Sequence, residues 1–252
     1  MHNEMHEDPL RDVYHNSIVD NPGHFKQLIN HNTALLCIDL QYLDAVEGYG
    51  VFQDPDKSGV PQEGRDYYFE RLKTVTLPNV RRLQERFRQN SLEVMHTRIQ
   101  ALTQDGRDRS AGHKRLNLLA APGSKEAQFV EEVAPTGDEV IVNKTASGVF
   151  SATNFDFVLG NMGINALFVC GVYTNECVET TVRAASDLGY FVTMIDDACA
   201  TVTPELHEAS IATLRDRYAR VISTEEAIRD LERYVDSRFI AGQADGTLQA
   251  GR

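Results

Sequence analysis

A thiol, a carboxylate and an ammonium stand out in this sequence because each falls just beyond a run of apolar residues. The stretch Cys170-Gly171-Val172-Tyr173-Thr174-Asn175-Glu176-Cys177-Val178 reads as a strand end, a short turn and a helix carrying Val178, Val182, Ala185 and Leu188 on one face. Cys177 then lies in the first helical turn, where unpaired N–H groups and the helix dipole favour negative charge. A thiolate is such a charge, so the position is expected to lower the thiol pKa and favour a nucleophile. The same turn points backbone N–H groups toward whatever the sulfur attacks, which is the raw material of an oxyanion hole. The competing reading of any single cysteine is a small buried hydrophobe, and Cys37, Cys170 and Cys199 are read that way. Asp39 and Gln41 follow the run Thr33-Ala34-Leu35-Leu36-Cys37-Ile38, Arg98 and Gln100 follow Leu92-Glu93-Val94-Met95-His96, and Lys144 follows Glu139-Val140-Ile141-Val142.

The elements that must position these residues alternate in kind. Three further apolar runs, Ala166–Cys170, Phe191–Ile195 and Arg220–Ile222, complete a set of strands. Helical spacing lies between the runs, at about 66–89, 124–132, 153–161, 175–188, 204–217 and 224–234. Strand-helix alternation implies an α/β fold: a doubly wound, mostly parallel six-stranded sheet in a three-layer α/β/α arrangement, since parallel strands need crossover connections. In such sheets ligands bind beyond the carboxyl ends of the strands, which is where Asp39, Lys144, Tyr173–Cys177, and also Asp196 and Asp197, would fall. Thr203-Pro204 offers an N-cap and a first-turn proline, and Gly189 a helix C-cap. Pro78 predicts a kink or break near Thr76 or Leu77. Residues 48–64 and 100–123 read as long loops, which in a compact domain are more often functional than idle. Residues 1–30 read as an N-terminal arm that covers a neighbour or is partly disordered, 31–235 as the main α/β domain and 236–252 as a C-terminal tail.

Composition excludes several classes. The chain has 252 residues with 25 Lys plus Arg against 37 Asp plus Glu, a formal charge of −12, and 42% hydrophobic residues. That balance argues against nucleic acid and anionic membrane as partners. No segment approaches the roughly 18 apolar residues of a membrane span, and no apolar signal-peptide core is visible, so a cytoplasmic location is expected. Four cysteines are too few and too unevenly spaced for a disulfide framework. Five of eight histidines, His2, His6, His15, His24 and His31, precede residue 32, which leaves little for a histidine triad or three-histidine metal site. His96 is read as a hydrogen-bonded structural residue.

Taken in order, Asp39-Leu40-Gln41, then Asn143-Lys144 with Ser147, Phe150 and Thr153, then Gly171-Val172-Tyr173-Thr174-Asn175-Glu176-Cys177-Val178 resemble the isochorismatase-like cysteine hydrolase superfamily. Thr181, Arg183, Ala184, Gly189-Tyr190 and Asp196-Asp197-Ala198 continue the likeness, which covers about residues 32–225. The resemblance implies a catalytic triad of Asp39, Lys144 and Cys177, a cis peptide at Val172-Tyr173, and an oxyanion hole from the N–H groups of Tyr173 and Cys177. In that scheme Asp39 takes the thiol proton, passes it to the leaving amine and then activates water, while Lys144 stabilises both anions.

Departures from relatives narrow the chemistry. Nicotinamidases carry a metal-binding Asp-x-His motif shortly after the first aspartate, and residues 48–64 here contain no histidine, so neither metal nor cofactor is expected. Many relatives read Asp-x-Gln-x-x-Phe, where this chain has Asp44. Isochorismatases proper generally lack the cysteine, so Cys177 points to C–N bond hydrolysis. A thioester route on a small amide, ureide or carbamoyl compound is expected, resembling the ureidoacrylate and biuret branch, with Gln41, Arg98, Gln100, Asn175 and Phe150 as substrate-binding candidates. Tyr173 is a further pocket wall, and Arg107 and Arg109 are candidates to meet a substrate carboxylate. The alternatives are a nicotinamidase-like or isochorismatase-like hydrolase, or a ligand-binding member without turnover. A homo-oligomer, dimer or tetramer, is expected from the same resemblance, with the arm and residues 100–123 as candidate contacts.

Overall fold

In the computed structural model, residues 10–19, 21–54, 56 and 58–233 are described. Each apolar run forms a strand: β1 (Thr33–Ile38), β2 (Glu93–Ile99), β3 (Val140–Lys144), β4 (Ala166–Val172), β5 (Phe191–Ala200) and β6 (Arg220–Ile222). They form one sheet in the order β3-β2-β1-β4-β5-β6, with every pairing parallel. The central strands β1 and β4 are buried along their whole length, as strands covered on both faces must be. The chain winds from β1 toward β3 in one direction and from β4 toward β6 in the other. The crevice between the ends of β1 and β4 is therefore the topological switch point, where open α/β sheets bind ligands.

Close approach of those two strands depends on Gly171. Its φ is 119°, and a Cβ built there would lie 2.1 Å from the Ile38 carbonyl oxygen. Any side chain would push β1 and β4 apart just where Asp39 and the following turn must meet.

The long helix ahead of β2 absorbs Pro78 without a break. Helical residues Gln62–Arg71 run into a π-turn, Leu72–Thr76, and on into Leu77–Gln89. The Leu77 N–H donates to the Leu72 carbonyl five residues back, so one extra residue is fitted in where Pro78 supplies no donor. Thr203 caps the helix Pro204–Leu214 as expected, its side chain accepting from the Leu206 N–H.

Three expectations need correction. Residues 124–132 form no α-helix beyond a 3-10 turn at Glu131–Val133. Instead the Tyr42 and Leu43 N–H groups donate to the Gln128 and Glu126 carbonyls, and Val130 N–H to the Leu40 carbonyl. Those cross-chain bonds hold the segment extended beside the end of β1. Strand β5 runs past Ile195 to Ala200, so Asp196 and Asp197 lie within it: Asp196 accepts from His207, and Asp197 accepts from the Thr224 N–H and hydroxyl at the start of the last helical segment, 224–233. Within residues 1–30, helices Arg11–Ile18 and Gly23–Ile29 form, and His24 and Leu28 are buried in this chain. His24 meets the Phe191 ring edge-on, and Arg217 lies over Tyr14. The tail at 236–252 lies outside the described residues, as do residues 1–9. Among the described residues no helix is long and apolar enough to cross a membrane.

Candidate active site

Three strand ends converge. Asp39 follows β1 with φ 54°, a left-handed conformation that aspartate tolerates better than most residues, and its N–H donates to the Thr97 carbonyl at 3.1 Å. The bend directs its carboxyl to the switch point, where Oδ1 accepts from Thr97 Oγ1 at 2.9 Å and Oδ2 lies 2.7 Å from Lys144 Nζ. Lys144, the last residue of β3, is fully buried, and its Nζ donates to the Ala146 carbonyl at 3.1 Å and to Cys177 Sγ at 3.4 Å. Cys177 sits in a π-turn, Thr174–Val178, that opens the helix Glu179–Asp187, and it is 2% exposed. The Val172-Tyr173 peptide bond is cis.

The electrostatics differ from the expectation at Cys177. Burial would lower the Lys144 pKa, but the Asp39 carboxyl 2.7 Å away carries it above the usual lysine range, so the ammonium is firmly charged. Burial pushes the Cys177 thiol well up; Lys144 opposes this, while Asp39 and Asp44 reinforce it. The helix-start position does not by itself yield a resting thiolate, because desolvation outweighs it. Burial thus favours the neutral thiol at Cys177, beside the Lys144-Asp39 ion pair.

A supporting frame fixes the turn. Thr174 Oγ1 is 2.9 Å from His207 Nδ1, whose Nε2 is 2.7 Å from Asp196 Oδ1. Arg71 donates to the Cys199 and Asp196 carbonyls behind them. The Tyr68 and Tyr173 hydroxyls both donate to the Asp44 carbonyl, at 2.8 and 3.2 Å.

The substrate-binding candidates divide. Gln41 is fully buried, and its amide is spent on backbone: Nε2 donates to the Ile99 and Glu126 carbonyls and Oε1 accepts from the Ile99 N–H at 2.6 Å. It clamps the end of β2 to the extended 126–130 segment instead of facing a substrate. Gln41→Ala should therefore cost about 3 kcal/mol, since several buried backbone groups lose their partners; a loss under about 1 kcal/mol in urea unfolding would show that the clamp carries no weight. Arg98 is likewise committed, to Asn143 Oδ1 and the Ala127 carbonyl, with its guanidinium over Phe129. Phe150 packs its ring against Phe155 and Tyr190 and serves the core. Gln100 holds the end of β3 by donating its N–H to the Lys144 carbonyl. Asn175 lies in the Cys177 turn, where its Oδ1 accepts from Thr201. Arg109 donates to the Gly106 and Leu118 carbonyls, and Arg107 pairs with Asp105 in an exposed loop. His96 bonds Glu139 at 2.9 Å while 1% exposed, a structural histidine as expected.

Two residues to which the sequence assigned no role interact electrostatically with Asp39 and Lys144. Asp44 is 3% exposed and interacts electrostatically with Asp39 and Lys144. His113, buried in the short helix Ala111–Arg115, has its pKa lowered by burial and then by Lys144, and so stays neutral. For Asp44 a signal existed, an acid inside the otherwise apolar stretch Tyr42-Leu43-Asp44-Ala45-Val46; for His113 none did.

Residues 33–226 match the Isochorismatase domain family. The uncharacterized isochorismatase family protein YwoC of Bacillus subtilis is 31% identical over 161 residues, covering 62% of this chain and 83% of that protein. The ureidoacrylate amidohydrolase RutB of Acinetobacter baylyi is 30% identical over 115 residues, 45% of this chain and 47% of its own. The crystal structure of a cysteine hydrolase from Pseudomonas syringae pv. phaseolicola superimposes with a TM-score of 0.65 at 25% identity, covering 81% of this chain and 94% of that one.

Proposed function

The chain belongs to the isochorismatase family, and from that premise we propose that it is a cysteine amidohydrolase, cleaving a C–N bond of a small amide, ureide or carbamoyl compound through Asp39, Lys144 and Cys177. The observation that carries the proposal is the water-excluded contact of Lys144 Nζ with both Asp39 Oδ2, at 2.7 Å, and Cys177 Sγ, at 3.4 Å. The named activity of the similar RutB protein, a ureidoacrylate amidohydrolase, supports the same bond class.

In this mechanism Cys177 Sγ attacks the substrate carbonyl carbon as its proton passes to Asp39. Negative charge moves from the carboxylate to sulfur and then to the carbonyl oxygen, while Lys144 stays cationic beside it. The N–H groups of Tyr173 and Cys177 receive the oxyanion. Asp39 returns the proton to the departing nitrogen, ammonia or an amine leaves, and an acyl thioester remains on Cys177. Asp39 then takes a proton from water, whose oxygen attacks the thioester carbonyl carbon; the C–S bond breaks, the acid leaves, and the Asp39 proton returns to Cys177 Sγ. Each step moves one proton to or from Asp39, which is held beside the Lys144 ammonium in a buried, preorganised site.

The test is ammonia release from a panel of ureides, carbamoyl compounds and primary amides. At least one member should be turned over at 10⁴ M⁻¹s⁻¹ or about that order in kcat/KM. No release above the uncatalysed rate from any of them would overturn the hydrolase reading in favour of ligand binding without turnover.

A further inference from the structure

Asp44 is a carboxyl group that the triad mechanism does not use, in a position where an acid is costly. It lies in the short helix Tyr42–Ala45, three residues after Gln41, and is 3% exposed. Its Oδ2 is buried and has no hydrogen-bond partner among the described residues. Its backbone, by contrast, is held firmly: its N–H donates to the Gln41 carbonyl, and its own carbonyl accepts from both Tyr68 and Tyr173. A buried polar group without a partner is destabilising unless something else completes it, and the rigid backbone leaves this carboxyl little room to turn away.

We propose that Asp44 is a specificity-determining residue: its carboxyl hydrogen-bonds the polar end of an uncharged amide or ureide held at Cys177, and the site disfavours substrates that bring a carboxylate. This rests on the amidohydrolase reading for the identity of the bound group, but the binding claim is testable without turnover.

Two observations support it. The first is the charge census around the triad. Lys144 is the one cation among the charged groups acting on Asp44, and the other two, Asp39 and Glu176, are acids. Burial, Asp39 and Glu176 all favour the neutral carboxyl, and Lys144 alone opposes them. Burial also raises the Glu176 pKa at the turn, against the opposing pull of Lys144. The remaining titratable groups coupled to Asp44 are Tyr68, Tyr173 and Cys177, all raised and therefore neutral near pH 7. A neutral carboxyl offers one donor and one acceptor side by side, which matches the donor-acceptor edge of a primary amide or urea. The second observation is the commitment of the arginines that could have met a carboxylate. Arg98 and Arg109 are tied to backbone and Asn143, and Arg107 pairs with an exposed aspartate. A substrate anion would meet acids and a lysine already shared by Asp39 and Cys177.

The test uses two probes of similar size, neutral acetylurea and anionic N-carbamoylglycine, and reads how far each protects Cys177 from iodoacetamide, by mass spectrometry of the Cys177 peptide. In the wild-type protein acetylurea should protect at concentrations at least tenfold below those needed for N-carbamoylglycine. Asp44→Leu should raise the half-protecting concentration of acetylurea at least tenfold. In the wild type that concentration should rise with pH as the Asp44 carboxyl ionises; in Asp44→Asn, which keeps a donor and an acceptor without a charge, it should lose this dependence. Equal or better protection by N-carbamoylglycine, no protection by acetylurea, or the same pH dependence in Asp44→Asn as in the wild type would overturn the proposal. The Asn variant decides the matter if the Leu variant does not fold. Protection by acetylurea with no ammonia release from any amide would uphold the role of Asp44 and overturn the hydrolase reading.

Discussion

Cys177→Ser is expected to lower ammonia release by about 10⁴-fold or more while leaving stability within about 1 kcal/mol of the parent. The two effects separate because of what Cys177 touches. In the proposed mechanism its Sγ is the nucleophile, and a serine hydroxyl in the same place is far less acidic. The Lys144-Asp39 pair beside it is untouched by the exchange, and the serine Oγ can accept from Lys144 Nζ in place of sulfur. The paired measurements are ammonia release and urea unfolding on the same preparation. A variant keeping a tenth of the activity would rule out the thiol route, and with it the acyl-Cys177 adduct that a rapid acid quench of the wild type should reveal.

The second large effect concerns Lys144. Lys144→Met should abolish activity and also destabilise the fold by about 3–5 kcal/mol, because it strands the Asp39 carboxylate in a fully buried site. The double variant Asp39→Asn with Lys144→Met removes both charges. It should regain most of the lost stability and none of the activity. The pH dependence has a definite sign. The Lys144 pKa is raised on folding, so its stabilising contribution is full below the unfolded lysine value of about 10.4 and is lost only as pH rises through the higher folded value. The Lys144 contribution to stability should thus be constant between pH 6 and 9. A deficit below about 1 kcal/mol in that window, or a double variant as unstable as the single one, would contradict the picture of a pair held by mutual charge.

Much of this site was legible in the sequence because the physical signals were local. Near-continuous apolar runs are what a sheet covered on both faces requires, so the strands were marked, and the residues just beyond them marked the switch point. Asp39, Lys144 and Cys177 could each be placed at a strand end without knowing the strand order. What was not legible depended on partners far away in the chain. Nothing in the side chain of Gln41 says whether its amide will face a substrate or three backbone groups; only the arrival of residues 99 and 126 decides it. Asp196 and Asp197 looked like the end of a strand because they are charged, yet His207 and Thr224 satisfy them inside β5. Residues 124–132 carry a helical spacing that the N–H groups of Tyr42 and Leu43 override by binding their carbonyls. The thiol pKa failed in the same way: the helix start was readable, whereas the depth of burial that reverses its effect was not.

The sheet order has a consequence for how this protein would lose function. Lys144 closes β3, which among the described residues is an edge strand paired only to β2, and β3 exposes Ile141 to solvent at 43%. Asp39 and Cys177 hang from the doubly flanked centre. Opening of an edge element needs less free energy than opening of the core, so the ammonium is the part of the proposed triad on the weakest support. Fraying of a few residues would disarm the site while the rest of the molecule still counted as native. Inactivation and denaturation are then separate events, and a midpoint measured on one would overestimate the durability of the other.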